Sequence, residues 1–274
     1  MIPIMNIIAA IVAFNPDPER LMENIGAIRN QVDKVLIFNN GNPELLPFVK
    51  DIQILDRDGS NIGIASALNM LCQQAEEAGF EWILMLDQDS VVPPNLVEEY
   101  RKYIQDERVA LVSPAIQDRN YGSMSYDSGD GPACEEIEVC ITSGSMLRLS
   151  AWKAIGGFWD ELFIDMVDFD LCWSLHKAGF KILRVNNKVL LHEIGHARRV
   201  TLLGKDNVVY NHSPQRCYYI IRNTIAVGRK HGRQKQCRHW VLKRILLINL
   251  FESGRWTKNK MMAKGIIDGI RFKR

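Results

Sequence analysis

WILMLDQDSVVPP, residues 82–94, begins as five apolar residues and then stops on Asp87, Gln88 and Asp89. A strand covered on both faces reads as such a continuous apolar run, and a core strand has no structural need for two carboxylates one residue apart. Two readings stand. Either one aspartate caps the following turn and the other is solvated, or the pair holds something. On an extended backbone residues i and i+2 point the same way, and open α/β sheets bind their ligands at the carboxyl ends of the strands. Two hard oxygen ligands at such a place suit Mg²⁺ or Mn²⁺, which keeps several waters and is completed by substrate phosphates.

Outward from this stretch the chain alternates. Residues 4–14 form an apolar strand closed by NPDP, and 19–31 have helical spacing with Leu21, Ile25 and Ile28 on one face. VDKVLIFNNG (32–41) and IQILD (52–56) read as strands, SNIGIASALN (60–69) as a glycine-containing loop opening a helix, and 94–104 as a helix started by Pro93 and Pro94. VALVSPAI (109–116) is a fifth strand, 117–133 a polar Gly-rich insertion, and 135–149 a further strand. Residues 169–179 form a helix ended by Gly179, followed by strands FKILRV and NKVLLHEIG; from 214 the chain reads as helical and basic. Alternation of this kind predicts an α/β fold with a mostly parallel sheet and helices on both faces.

The 274 residues are 47% apolar and 24% charged, an ordinary globular composition. Six cysteines show no CxxC pair and no framework spacing, so they read as reduced thiols of a cytosolic protein. The first residues lack the basic region of a secretory signal and read as strand. The net charge of +2 conceals a division: residues 1–196 carry 15 Lys and Arg against 29 Asp and Glu, whereas 197–274 carry 19 against 3. A basic segment of this kind calls for an anionic partner, nucleic acid or a membrane surface. No run approaches the roughly 20 apolar residues of a spanning helix.

Four motifs carry further information: SNIGIASALN (60–69), LDQDS (86–90), the long segment from Thr142 to Ile182, and CYYIIRN (217–223). In this order and spacing they resemble the family 2 glycosyltransferases of GT-A fold, a Rossmann-like nucleotide-binding sheet. The similarity is closest to the bacterial rhamnosyltransferase branch that builds O-antigen and related polysaccharides. It covers residues 5–225, leaving 226–274 as a basic helical extension. By this resemblance Asp87 and Asp89, with Gln88 between them, are the family's DxD and bind the cation that bridges the nucleotide-sugar diphosphate. Ala13, Phe14 and Asn15 match the segment lining the nucleoside pocket; Asn61, Gly63 and Asn69 match the loop and helix under the nucleotide.

The chain departs from the family pattern after its second strand, where an aspartate is usual. Here the stretch is IFNNG, so the base either stacks on Phe38 or bonds to Asn39. FIDMVDFDLCWS (163–174) offers three carboxylates. The family pattern puts the catalytic base on Asp168, as an inverting transfer requires one carboxylate within reach of the acceptor hydroxyl. Asp170 anchors the helix, and Asp165 is either a support or an acceptor contact. His192 either completes the metal shell or is an ordinary satisfied histidine. Arg222 either contacts diphosphate or acceptor, or belongs to a helix packed through Tyr218, Tyr219 and Ile221.

Residues 234–274 mix Trp240, Leu242, Leu246 and Trp256 with many Lys and Arg, the composition of an interfacial amphipathic helix. The alternative is a packed helical cap with a solvated basic face. No recognition motif accompanies the charge, which argues against nucleic acid. The expectation is therefore a metal-dependent inverting transferase at the cytoplasmic face of the membrane. It takes L-rhamnose from dTDP-L-rhamnose to a lipid-linked saccharide. Its rivals are a transferase for another UDP- or GDP-sugar and a non-catalytic nucleotide-binding scaffold.

Overall fold

The computed structural model describes residues 6–41, 49, 52–56, 59–118, 122–123, 132–192, 198–202 and 204–272. The chain divides into two compact units, Met1–Glu161 with Leu171–Glu193, and Leu162–Asp170 with Ile194–Arg274. The expected boundary after residue 225 falls inside an unbroken helix, Pro214–Lys230. The extension therefore does not start a unit there.

In the first unit β1 (Ile7–Ala13), β2 (Lys34–Asn39), β3 (Gln53–Asp56) and β4 (Trp82–Asp87) run parallel in the order β3-β2-β1-β4. Every residue of β1 is buried, because it has a strand on each side and helices above and below. Ile7, Ala9 and Ile11 share a core with Leu21, Ile25 and Ile28 of α1 (Pro18–Ile28) and with Leu96, Val97 and Tyr100 of α3 (Leu96–Arg101). Helix α2 (Ile64–Glu77) lies along β1, β2 and β4. α1 starts where the sequence directs: Asp17 accepts the Arg20 N–H at 3.0 Å and Pro18 opens the first turn.

Beyond β4 the sheet becomes mixed. β5 (Val109–Asp118) pairs with the two-residue β6 (Gly122–Ser123), and β7 (Cys134–Glu136) lies at the far edge. β8 (Met146–Arg148) is antiparallel to both β4 and β5, and β9 (Lys181–His192) is parallel to β5. Where one strand is expected over 135–149, only its two ends pair. Ser145 breaks the run by turning its hydroxyl onto the Ile141 carbonyl at 2.6 Å. The two strands expected after Gly179 are one, β9, whose pairing with β5 slips between Pro114 and Ala115. Most of the polar insertion 117–133 lies outside the described residues. α4 (Leu149–Ala154) and a 3-10 turn at Asp160–Leu162 lead to α5 (Val167–Lys177), within which the division between the units falls.

The second unit holds a hairpin, β10 (Arg198–Leu202) with β11 (Lys205–Val209), and three helices, α6 (Pro214–Lys230), α7 (Gln234–Phe251) and α8 (Arg255–Arg271). Cys217, Ile221, Val241, Ile248 and Met262 form its core. The tail is two helices rather than one, separated at Gly254, whose φ of 64° only glycine adopts freely. α8 presses against α6 through Gly265 and Gly269. A methyl group on either would stand 2.7–2.8 Å from the Tyr218 or Arg222 carbonyl oxygen. No described helix is long and apolar enough to cross a membrane.

Gly144 shows how tightly the first unit is fitted behind β4. Its N–H donates to the Met85 carbonyl at 2.8 Å, its carbonyl accepts the Tyr100 hydroxyl at 2.8 Å, and its φ is +77°. A Cβ there would lie 2.9 Å from Leu190 Cδ2 and 3.0 Å from Pro114 Cγ. Gly144→Ala should therefore lower stability by about 2–3 kcal/mol through φ strain and overpacking together. Urea unfolding of the full-length variant measures the loss.

Candidate active site

The lateral register places the polar strand ends of the first unit side by side. Val12 is opposite Phe38 on one flank and Asp87 on the other. The strand order reverses direction here, as β2 and β3 go one way from β1 and β4 the other. Such a switch point, at the carboxyl ends of parallel strands, opens the crevice in which α/β sheets bind nucleotides.

The turn carrying the carboxylates is braced from three sides. The Asp87 N–H donates to Ser143 Oγ at 2.9 Å, and Ser143 Oγ lies 2.7 Å from Ser90 Oγ. Buried Asn24 of α1 donates to the Asp87 carbonyl at 2.6 Å. Gln88 turns its Oε1 back to accept the Phe14 N–H at 2.7 Å, which ties the end of β4 to the end of β1. Asp87 and Asp89 themselves are half-buried. Sequence reasoning missed Ser143 and Asn24. The second had a legible signal, as Asn24 sits between Leu21 and Ile25 on the apolar face of α1.

Several expected nucleotide contacts take definite places. Phe14 is 47% exposed, whereas Ala13 is enclosed and offers its carbonyl to the Asn40 N–H at 2.7 Å. Asn15 comes next with φ +46°, and its side chain leaves no room for a Cβ on Gly41. Asn61 Oδ1 accepts the Gly63 N–H at 2.9 Å, and Gly63, at φ +83°, opens α2. Asn40 Oδ1 accepts the Ile62 N–H at 2.8 Å, joining this loop to β2.

Other expectations change. Phe38 is fully buried, so no base stacks on it; β2 is an interior strand and its ring belongs to the core. Asn39 is buried as well, and its Oδ1 accepts the Gly41 N–H. Asn69 spends its whole amide inside the protein. Nδ2 donates to the Phe158 carbonyl at 2.9 Å and to Asp160 at 2.7 Å, and Oδ1 accepts from Trp152 Nε1 and the Phe158 N–H, both at 2.9 Å. With all four hydrogen-bonding positions filled, it clamps α2 to the segment after α4 instead of meeting a nucleotide. The side chain of His192 lies outside the described residues, although its backbone ends β9.

Asp165, Asp168, Asp170 and Arg222 belong to the second unit. Asp170 is buried: Lys230 Nζ reaches its two oxygens at 2.7 and 2.8 Å, and His231 Nε2 lies 2.8 Å from Oδ1. It anchors α5 to the end of α6. Asp165 is paired with Arg216 at 3.2–3.3 Å; burial raises its carboxyl pKa, against the pull of Arg216 and Arg244. Asp168, between them, is half-buried, with Oδ1 accepting the Phe169 N–H at 2.9 Å. Phe163, Asp165 and Met166 all have φ near +65°, a left-handed conformation costing about 1–3 kcal/mol for each non-glycine residue. Arg222 is buried: Nη2 donates to the Leu162 carbonyl at 3.1 Å, and the guanidinium lies 4.4–5.5 Å from the Phe272, Tyr219 and Tyr218 rings. It is a packing residue of α6 rather than a phosphate ligand.

A nucleotide-type sheet with a braced carboxylate pair at its switch point defines a nucleotide-dependent enzyme class, and the comparisons make it specific. The family model "Glycosyl transferase family 2" matches residues 9–158, and the chain belongs to that family. A dTDP-rhamnosyl transferase of Shigella flexneri, RfbF, is 28% identical over 242 residues, covering 82% of this chain and 81% of its own. Among solved structures, S. aureus TarS residues 1–349 with UDP-GlcNAc superposes with a TM-score of 0.65 at 12% identity, over 97% of this chain and 81% of that one. GalNAc-T7 with UDP, GalNAc and Mn²⁺ gives 0.59 at 12% identity over 90% of this chain, which spans 57% of that chain. The fold is GT-A, and the protein is a glycosyltransferase.

Because Ser143 Oγ receives the Asp87 N–H in a buried setting, Ser143→Ala should cost about 1–3 kcal/mol of stability. Thermal melts of the full chain against wild type check this.

Proposed function

We propose that this protein is a metal-dependent, inverting rhamnosyltransferase. It would move L-rhamnose from dTDP-L-rhamnose to a lipid-linked saccharide in the synthesis of O-antigen or a related polysaccharide. The donor rests on the likeness to the dTDP-rhamnosyl transferase, which runs over 242 residues and so extends well past the reach of the family model. The single observation that carries the chemistry is the carboxylate pair Asp87 and Asp89 at the carboxyl end of β4.

The residues fit a divalent cation. Two half-exposed carboxylates supply hard oxygen donors, and among the described residues no group of three or more His, Cys, Asp or Glu could form an all-protein cage. That donor set suits Mg²⁺ or Mn²⁺ completed by diphosphate and water. When bound, such an ion neutralises charge on the departing diphosphate. Phe14 offers an exposed ring for the base, and Gly63 lets the backbone at the start of α2 approach the ligand. Asp168 takes the proton of the acceptor hydroxyl. As that proton leaves, the oxygen attacks the anomeric carbon opposite the leaving group, and the diphosphate departs with the bonding pair. Asp170 is unsuited to that role, since Lys230 and His231 already hold it.

The second unit supports residence on an anionic membrane. Leu242, Leu246 and Leu250 recur every four residues on α7 and are exposed, and Trp256 at the start of α8 is 83% exposed. Exposed Lys235, Arg238, Lys243, Lys260 and Lys264 accompany them. Apolar side chains and lysines together suit the headgroup region. The enzyme would then work at the cytoplasmic face, where a lipid-linked acceptor is presented.

Three experiments bear on these readings. A panel of dTDP-, UDP- and GDP-sugars should show turnover with dTDP-L-rhamnose, and turnover only with a UDP- or GDP-sugar would transfer the assignment to that donor. On the active donor, Asp89→Ala should abolish Mn²⁺-dependent nucleotide binding and transfer together. Asp168→Asn should lower turnover by about 10²–10⁴-fold with donor affinity kept; activity retained in both variants would remove the metal and base roles from these residues, and no turnover with any donor of the panel would leave a scaffold. In flotation assays the full chain should bind anionic vesicles at low salt. Binding should weaken as salt rises, since each Lys or Arg contributes about 1 kcal/mol screened over about 8 Å. Leu242→Ser with Leu246→Ser and Trp256→Ser should release it, and salt-independent absence of binding by wild type would remove the membrane from the proposal.

A further inference from the structure

The turn before Asp168 is held by one side of α6. Asn223 is fully buried, and its Nδ2 lies 2.7 Å from the Leu162 carbonyl, 2.7 Å from that of Ile164 and 3.0 Å from that of Asp165. Its Oδ1 accepts Arg222 Nε at 2.8 Å. The orientation of the amide is forced: the guanidinium can only donate and the three carbonyls can only accept. The gathered carbonyls belong to the stretch in which Phe163, Asp165 and Met166 adopt φ near +65°. One turn earlier on α6 Tyr219 stacks on Phe163 at 5.0 Å, and two turns earlier Arg216 pairs with Asp165. At its far end Lys230 and His231 hold Asp170.

Side-chain pairs such as Arg216 with Asp165 steady a loop without dictating its backbone. Three carbonyls held by one amide restrain the backbone itself, across Phe163 and Asp165, which are left-handed, and up to Met166, which follows them in the same conformation. We propose that Asn223 is the positioning residue for Asp168: by holding this unfavourable turn it fixes the direction in which α5 begins and Asp168 is presented. The proposal rests on the reading of Asp168 as the base. Asp at 223 would set an acceptor against three acceptors, and an aliphatic residue would take the amide donor from the buried Ile164 and Asp165 carbonyls, leaving that of Leu162 to Arg222 and the Ile164 N–H. An amide is the group that fits.

The test uses the full-length chain with dTDP-L-rhamnose, measuring kcat, KM for the donor, donor Kd and thermal unfolding. Asn223→Ala should lower kcat by about 10²-fold, the effect of a displacement near 1 Å, with donor Kd within about twofold of wild type. Adding Met166→Gly should restore about tenfold of that loss, because glycine takes a φ of +65° without penalty. A purely structural role would lower the melting temperature without this rescue, and that result would overturn the proposal. Near-normal kcat in Asn223→Ala alongside an inactive Asp168→Asn would also overturn it while leaving the base in place; an active Asp168→Asn would remove the base itself. If Asn223→Ala fails to fold, Met166→Gly alone decides. It should raise Tm by roughly 2 °C through relief of strain, and an unchanged or lower Tm would sink the idea.

Discussion

The first unit depends on the fixed lateral register of β1 between β2 and β4. β1 is buried on both faces, so sliding it by one residue would exchange every side chain between two filled layers. The register is thus set by the core, and the ends of three strands arrive together as a by-product. The residues at and just beyond those ends, Phe14 and Asn15, Asn39 and Asn40, and Asp87 to Asp89, are positioned without having to specify the packing themselves. Ser143, Asn24 and Gln88 then fix the one part that register cannot, the backbone of the DQD turn.

The second unit reaches precision by another route. No sheet ladder orders Leu162–Asp170, and three of its residues take a conformation their side chains disfavour. Order comes from α6, whose Arg216, Tyr219, Asn223 and Lys230, with His231 just past its end, each engage a different part of the segment. The consequence is that three nearby carboxylates have different surroundings. Asp165 and Asp170 are held by cations on either side, and Asp168 is half-buried with an oxygen turned to the start of its own helix.

The sequence made the parallel strands legible because buried strands are continuous apolar runs and their ends are polar. The place where β4 ends, on Asp87, was legible for the same reason. What it hid were partners. Asn69 resembles a nucleotide contact by motif, yet its hydrogen bonds go to residues 83–91 positions away, which no local pattern reveals. Phe38 looked available because it stands where the family has an aspartate; that β2 is interior is a fact of topology. Arg222 looked like a ligand because cations usually seek anions, whereas here three rings and a carbonyl enclose it. Motifs and charge point to different boundaries. Charge changes sign near residue 197, close to where the second unit resumes at Ile194, while the last family motif ends inside α6.

The two glycines of α8 bear on how enzymes of this kind could exchange parts. Gly265 and Gly269 allow α8 to touch the backbone of α6 itself, at Tyr218 and Arg222. The surface that contributes Arg222 to the Leu162–Asp170 turn on one side is therefore moulded to the tail on the other. A chimera that joined a foreign tail at residue 225 would set a side chain of unmatched size against α6 and disturb the turn through it. A recombination junction compatible with both contacts lies before β10, and it must carry Leu162–Asp170 from the same parent, so the inheritable module is discontinuous in the chain.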